Sequence, residues 1–288
     1  MMGATFPLNA VGLVGNDGHG RFILNHCLGL GINTQSLQIT DEAPTSYTDV
    51  MTVRTTGRRT FFHQRGANAL LGPEHFEFAG VTAKIFHLGY LLLLDRLDAL
   101  SADGQTGAAE VLRRARAAGL RTSADCVSDH SGRFRAVAAP ALPHVDYFFA
   151  NDFEAEKITG VMVRNEQRLD PHAVRAAARA LLEAGVREWV FIHFEEGAFA
   201  ASREAEVWQP SLRVPAADIR GAAGAGDAFA AGVLFGVHED WPVAESLRLG
   251  VSAAAASLYD PRCSASLRPI EECRRLAEQL GFNGASFD

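Results

Sequence analysis

Cysteine is scarce in this chain: Cys27, Cys126, Cys263 and Cys273 are the four among 288 residues, widely spaced and with no C-x-x-C pair. That spacing argues against a thiolate zinc cluster and suggests no disulfide framework, so reduced, buried thiols are expected. Long apolar runs are also lacking. The longest, around Leu88 to Leu94, is far shorter than the roughly 20 residues of a membrane-spanning helix. No basic stretch followed by an apolar one opens the sequence. No membrane segment is therefore expected, and a cytoplasmic location is. Basic charge is in deficit, 27 Lys and Arg against 34 Asp and Glu, for a formal net charge of −7. A chain built to hold a nucleic-acid backbone would carry the opposite excess, so no nucleic-acid partner is expected. Nor does G-x-x-x-x-G-K-[ST] occur anywhere, which excludes a P-loop kinase.

What is present is an ordinary globular composition, 48% hydrophobic and 21% charged, with length for one large α/β domain or two modest ones. Ala10 to Val14 reads as a strand, GNDGHG (Gly15 to Gly20) breaks it, and Phe22 to Leu30 follows at helical spacing until Gly29 and Gly31. The glycines of that break do not fit G-x-G-x-x-G, so it reads as an N-D-G turn rather than a dinucleotide loop. Tyr47 to Phe62, rich in Thr, Val and Phe and split by TTGRR (Thr55 to Arg59), predicts an antiparallel hairpin projecting from the rest. From residue 84 strands alternate with helices. Strands are predicted at Lys84 to Leu88, Arg121 to Ala124, Val145 to Ala150, Trp189 to Phe194, Ala198 to Ala201 and Val207 to Gln209. Helices are predicted at Thr106 to Ala118, Phe134 to Leu142, Phe153 to Thr159, Pro171 to Ala184, Ala225 to Val237, Val243 to Leu258 and Ile270 to Gln279. This rhythm predicts a mostly parallel sheet with helices on both faces and ligands at the carboxyl ends of its strands.

The segment that points to chemistry is GAAGAGDAFAAG, Gly221 to Gly232. Gly224 and Gly226 allow a tight turn into an Ala-rich helix whose first amides lack intrahelical partners and carry the positive end of the helix dipole. Such amides suit a phosphate, and Asp227 beside them could accept a proton from an attacking hydroxyl. The same residues also fit an ordinary Gly-rich loop with an Asp stabilising a helix start.

GAGDAFAAG, Gly224 to Gly232, resembles the GAGD-x-F-x-x-G motif of the ribokinase-like (PfkB) carbohydrate kinase family. NDFEAEKITG, Asn151 to Gly160, is similar to that family's N-x-x-E element, and GLVGNDGHGRFI, Gly12 to Ile23, to its early G-x-x-G-x-D-x-x-G segment. The three occur in the family's order. The resemblance implies an α/β, ribokinase-like fold: a core of residues 1–46 and 64–288, and a β-hairpin lid over 47–63. It implies ATP-dependent phosphoryl transfer to a hydroxymethyl group of a sugar or sugar-like substrate, Asp227 being the base and the backbone of Gly224, Ala225 and Gly226 the anion hole. Asn151 and Glu154 would hold Mg²⁺ through water, and the lid would form a homodimer contact. Asn151 and Glu154 read by themselves as a helix N-cap and a first-turn acid. Arg65 and Asn68 after the lid, Tyr90 at one strand end and Asp125 at another are candidate substrate contacts. The alternatives are a solvated loop for Arg65, a core position rather than a pocket wall for Tyr90 and a turn start for Asp125. His87, His130 and His193 have no metal-ligand spacing and are expected to be structural.

Two departures from the pattern stand out. Gly221-Ala222-Ala223 replaces the family's D-T-x before GAGD, so a monovalent-cation site is not carried over. The family's opening strand, with its sugar-binding Asp, and its G-G-x-x-x-N helix have no counterpart, Met2-Gly3-Ala4 resembling only that helix's end. Upstream sequence or a compensating segment is expected to fill their place, because removing an interior strand would leave several backbone groups unpaired at about 1–3 kcal/mol each. A nucleoside kinase on the same fold, or a catalytically weak sugar- or nucleotide-binding regulator, remains open.

Overall fold

The computed structural model describes residues 2–53, 59–129, 131–166 and 168–284. β1 (Asn9–Gly15), α1 (Gly18–Gly29) and β2 (Asn33–Thr40) form one strand–helix–strand unit in which β1 and β2 pair in parallel. β3 (Tyr47–Thr52) and β4 (Arg59–Gln64) pair antiparallel as a separate two-stranded ribbon, Tyr47 opposite Gln64. Its connecting turn and His130 lie outside the described residues.

β5 (Ile85–Leu91), the short α2 (Asp95–Asp98), α3 (Gly107–Ala117), β6 (Arg121–Cys126), α4 (Phe134–Ala141), β7 (Tyr147–Asn151) and α5 (Asp152–Thr159) follow. Then come the two-residue strands β8 (Arg164–Asn165) and β9 (Arg168–Leu169), α6 (Pro171–Glu183), β10 (Trp189–Phe194), β11 (Gly197–Ala201) and β12 (Glu206–Pro210). α7 (Ala225–His238), α8 (Val243–Ser257) and α9 (Ile270–Leu280) complete the order. The main sheet runs β12-β11-β10-β7-β6-β5. β10, β7, β6 and β5 are mutually parallel, and β11 and β12 add an antiparallel edge. The expected mostly parallel, two-faced α/β architecture is what the chain adopts.

Period-2 alternation along the buried strands feeds two cores. Phe148, Ala150, Val190 and Ile192 face one, with Leu112, Phe134 and Leu181 from α3, α4 and α6. Tyr147, Phe149 and Phe191 face the other, with Phe229, Val233 and Leu247 from α7 and α8. α7 and α8 approach closely because Gly232 opposes Gly250: a Cβ on Gly232 would sit 2.8 Å from the Gly250 Cα. The last glycine of GAGDAFAAG therefore serves helix packing, while its first residues serve the sheet edge.

β2 was not among the predicted strands, and with β1 it forms a sheet separate from the main one. β5 is consequently an edge of the main sheet. Residues 2–8 form neither helix nor strand. The Met2 carbonyl accepts a hydrogen bond from the Ile270 amide, and Phe6 stacks on His238 at 3.6 Å between ring centres. Among the described residues, no helix is long and apolar enough to cross a membrane.

Candidate active site at the carboxyl edge of the sheet

Neighbouring strands deliver the candidate residues to one edge. Gly89 and Tyr90 lie near the end of β5, Asp125 near the end of β6, Asn151 ends β7 and His193 is near the end of β10. The start of α7 meets them. Gly224 is its N-cap in the left-handed region at φ 78°, where a Cβ would also lie 2.6 Å from the Cys263 carbonyl oxygen. A side chain is thus refused twice, by backbone conformation and by space. Gly226 packs beside His193, whose Cε1 would be 3.1 Å from a Cβ there. Of the three amides expected to form an anion hole, that of Ala225 donates a long bond, 3.3 Å, to the Ala222 carbonyl. The Gly226 amide belongs to the open first turn, where no intrahelical acceptor exists.

Asp227 stands exposed in that turn, and its Oδ1 accepts a hydrogen bond from the Tyr90 hydroxyl at 2.5 Å. Burial, then the charge of Asp227, holds the Tyr90 phenol well above its ordinary pKa, so it remains a donor. Asp125 is 9% exposed, and its Oδ1 has no hydrogen-bond partner among the described residues. Burial, followed by the charges of Asp227 and Glu154, pushes its carboxyl well above the usual range. The nearest imidazole nitrogen, His87 Nε2, is 3.8 Å from that oxygen, and His87 Nδ1 is engaged with Ser123 Oγ at 2.9 Å. His193 sits against Phe229, 5.2 Å between rings.

Asn151 and Glu154 form a capping box at the start of α5, so the N-cap reading of these two residues is correct as far as it goes. Glu154 is also buried, at 4% exposure, and desolvation raises its pKa to about 7. Ser128 joins the pair, donating to Glu154 Oε1 at 2.7 Å and accepting from Asn151 Nδ2 at 2.8 Å. Sequence reasoning missed Ser128; a hydroxyl in an irregular loop gives no periodic signal. It also missed the role of Asp17, which caps α1 through Gly20 and binds both the amide and the hydroxyl of Thr45, pinning β1 to the segment before the ribbon.

Arg65 and Asn68 are not drawn into the same cluster by any hydrogen bond or ion pair of the described residues. Arg65 instead binds Asp95 at 2.6 Å, and Asn68 lies in a 3-10 turn whose Ala67 amide bonds the Pro44 carbonyl.

Asp125, Glu154 and Asp227 thus share one edge, where the charge of Asp227 adds to the cost of ionising both Asp125 and Glu154. An orphaned buried carboxylate oxygen and concentrated negative charge fit a site that receives a divalent cation. No group of three or more His, Cys, Asp or Glu among the described residues is arranged to ligate a metal directly. Contact through water suits that arrangement, because Mg²⁺ gives up its waters reluctantly.

Known proteins share this fold. The deoxyribokinase of Salmonella typhimurium is 27% identical over 208 residues, 72% of this chain and 61% of that protein. The chain therefore spans less than two thirds of that relative's length. The ribokinase of Giardia lamblia superposes with a TM-score of 0.77 at 21% identity, covering 94% of this chain and 84% of that one. An E. coli protein provisionally assigned as ribokinase II, solved with ATP and Mg²⁺, superposes at 0.76 with 16% identity, covering 96% and 84%. Residues 4–270 match the pfkB family carbohydrate kinase, and the chain belongs to that family.

Proposed function

We propose that this protein transfers the γ-phosphoryl group of ATP to a hydroxymethyl group of a sugar or sugar-like acceptor. The observation that carries the reading is the junction of the Gly224–Asp227 helix start with the carboxyl edge of the sheet, which sets a carboxylate beside open backbone amides. Asp227 takes the acceptor's hydroxyl proton, the acceptor oxygen bonds to phosphorus, and the bond to the bridging oxygen of ADP breaks. The amides of Gly224, Ala225 and Gly226 steady the charge on the transferring group, and Asn151 and Glu154 would hold the cation through water. Mg²⁺, when bound, supplies charge neutralisation on the phosphates. The deoxyribokinase relative supports a sugar acceptor, and the nucleotide complex of the E. coli protein supports ATP and Mg²⁺ as partners.

The β3–β4 ribbon is the lid and, through it, a homodimer forms. Its Val50, Met51, Phe61 and Phe62 side chains are all exposed, and an isolated ribbon is marginal in water. A screen of ADP release across pentoses, hexoses, their deoxy forms and nucleosides tests the function. Acceptor-dependent ADP formation supports it; nucleotide binding without turnover on any acceptor favours a regulatory protein instead.

A further inference from the structure

We infer that Tyr90 is a positioning residue for the base, not a wall of the acceptor pocket. The inference rests on the phosphotransfer reading above. The Tyr90 hydroxyl occupies Asp227 Oδ1 at 2.5 Å, which leaves Oδ2 for the acceptor's proton. A carboxylate in the exposed first turn of a helix otherwise samples several rotamers, and fixing one of them lowers the entropic cost of reaching the reactive geometry.

The donor is itself well held. It follows Gly89, which passes so close over Asp125 that a Cβ there would lie 3.0 Å from the Asp125 Oδ1 and 3.3 Å from His87 Nε2. The titratable groups facing the Tyr90–Asp227 pair are Asp125 from β6, Glu154 from α5, His193 from β10 and Cys263 beside Gly224. A hydrogen bond donated to a carboxylate favours its ionised form, the form that a base needs. During the transfer the acceptor's proton goes to Oδ2, while the phenol keeps its own.

Tyr90→Phe tests this, with Tyr147→Phe as control. Tyr147 likewise donates to a carboxylate, Glu188 at 2.7 Å, but near the amino end of β7. For Tyr90→Phe the expected kcat is about 10- to 100-fold lower, the range of one hydrogen bond to a charged group, with KM values for ATP and acceptor within about threefold. The acid limb of kcat should move to higher pH, and Tyr147→Phe should change none of these. Added to Asp227→Asn, Tyr90→Phe should lower kcat no further, which separates positioning from a general loss of structure. A raised acceptor KM at unchanged kcat would make Tyr90 a pocket wall and overturn the inference, as would an unaltered kcat and pH profile. Wild-type protein that turns over no acceptor overturns the kinase reading and the role of Tyr90 with it; an active wild type with an indifferent Tyr90→Phe overturns the role alone.

Discussion

Asn151 and Glu154 cap one another across the first turn of α5: Asn151 Oδ1 accepts from the Glu154 amide at 2.8 Å, and Glu154 Oε2 accepts from the Asn151 amide at 2.9 Å. Structural and catalytic uses of this pair are compatible. Each carboxylate oxygen has two acceptor positions, so a bonded Glu154 can still receive a water.

Glu154→Gln separates the two uses, since glutamine serves equally at the third position of a capping box. Burial raises the folded pKa from 4.5 to about 7, so folding favours the protonated carboxyl. That stabilisation is whole below the unfolded value and is lost as pH rises through the folded one. Melting curves of variant and wild type should therefore coincide near pH 4.5, and the variant should gain between there and pH 8. The ceiling is on the order of 3 kcal/mol. The Mg²⁺ concentration for half-maximal rate should also rise in the variant. Magnesium dependence equal to wild type would reduce Glu154 to a helix cap.

Gly224→Ala should be costly. The residue sits at φ 78°, and the new methyl would meet the Cys263 carbonyl at 2.6 Å. A loss of more than about 1 kcal/mol is expected from the backbone conformation alone. Because the same shift misaligns the first amides of α7, kcat should fall roughly 100-fold. Denaturant unfolding and ADP release measure the two effects on one preparation; wild-type values in both would remove Gly224 from the site.

The ribbon's exposed side chains predict a concentration-dependent dimer. Phe62, 57% exposed and opposite Asp49, is the most direct probe. Sedimentation velocity at micromolar concentration should give a dimer for wild type and a shift of at least about tenfold toward monomer for Phe62→Asp. A wild-type monomer under those conditions would leave the lid without its proposed partner.

Much of this arrangement was legible from residue order. The helix predicted from Thr106 to Ala118 is α3, whose N-cap is Thr106, and the helix predicted to open at Pro171 is α6. The apolar strands β7 and β10 are buried on both faces, so their runs stand out. β2 escaped notice because NTQSLQIT is mostly polar and its side chains are exposed or half-buried, leaving no clear alternation. The two-residue β8 and β9 are too short for any pattern. At the site, Asp227, Asn151 and Glu154 stand in local motifs. The Tyr90–Asp227 contact joins residues 137 positions apart, and only folding reveals it. Arg65 looked available beside the lid, but its partner Asp95 comes from a helix 30 residues on.

Acceptor-dependent ADP formation by wild type and Asp227→Asn, each with ATP binding measured in parallel, tests the central claim most directly. The substitution keeps shape and hydrogen-bonding capacity but removes the proton acceptor. The account predicts unchanged ATP affinity and turnover lower by roughly two to four orders of magnitude. Turnover within a fewfold of wild type would contradict it and remove Asp227 as the base.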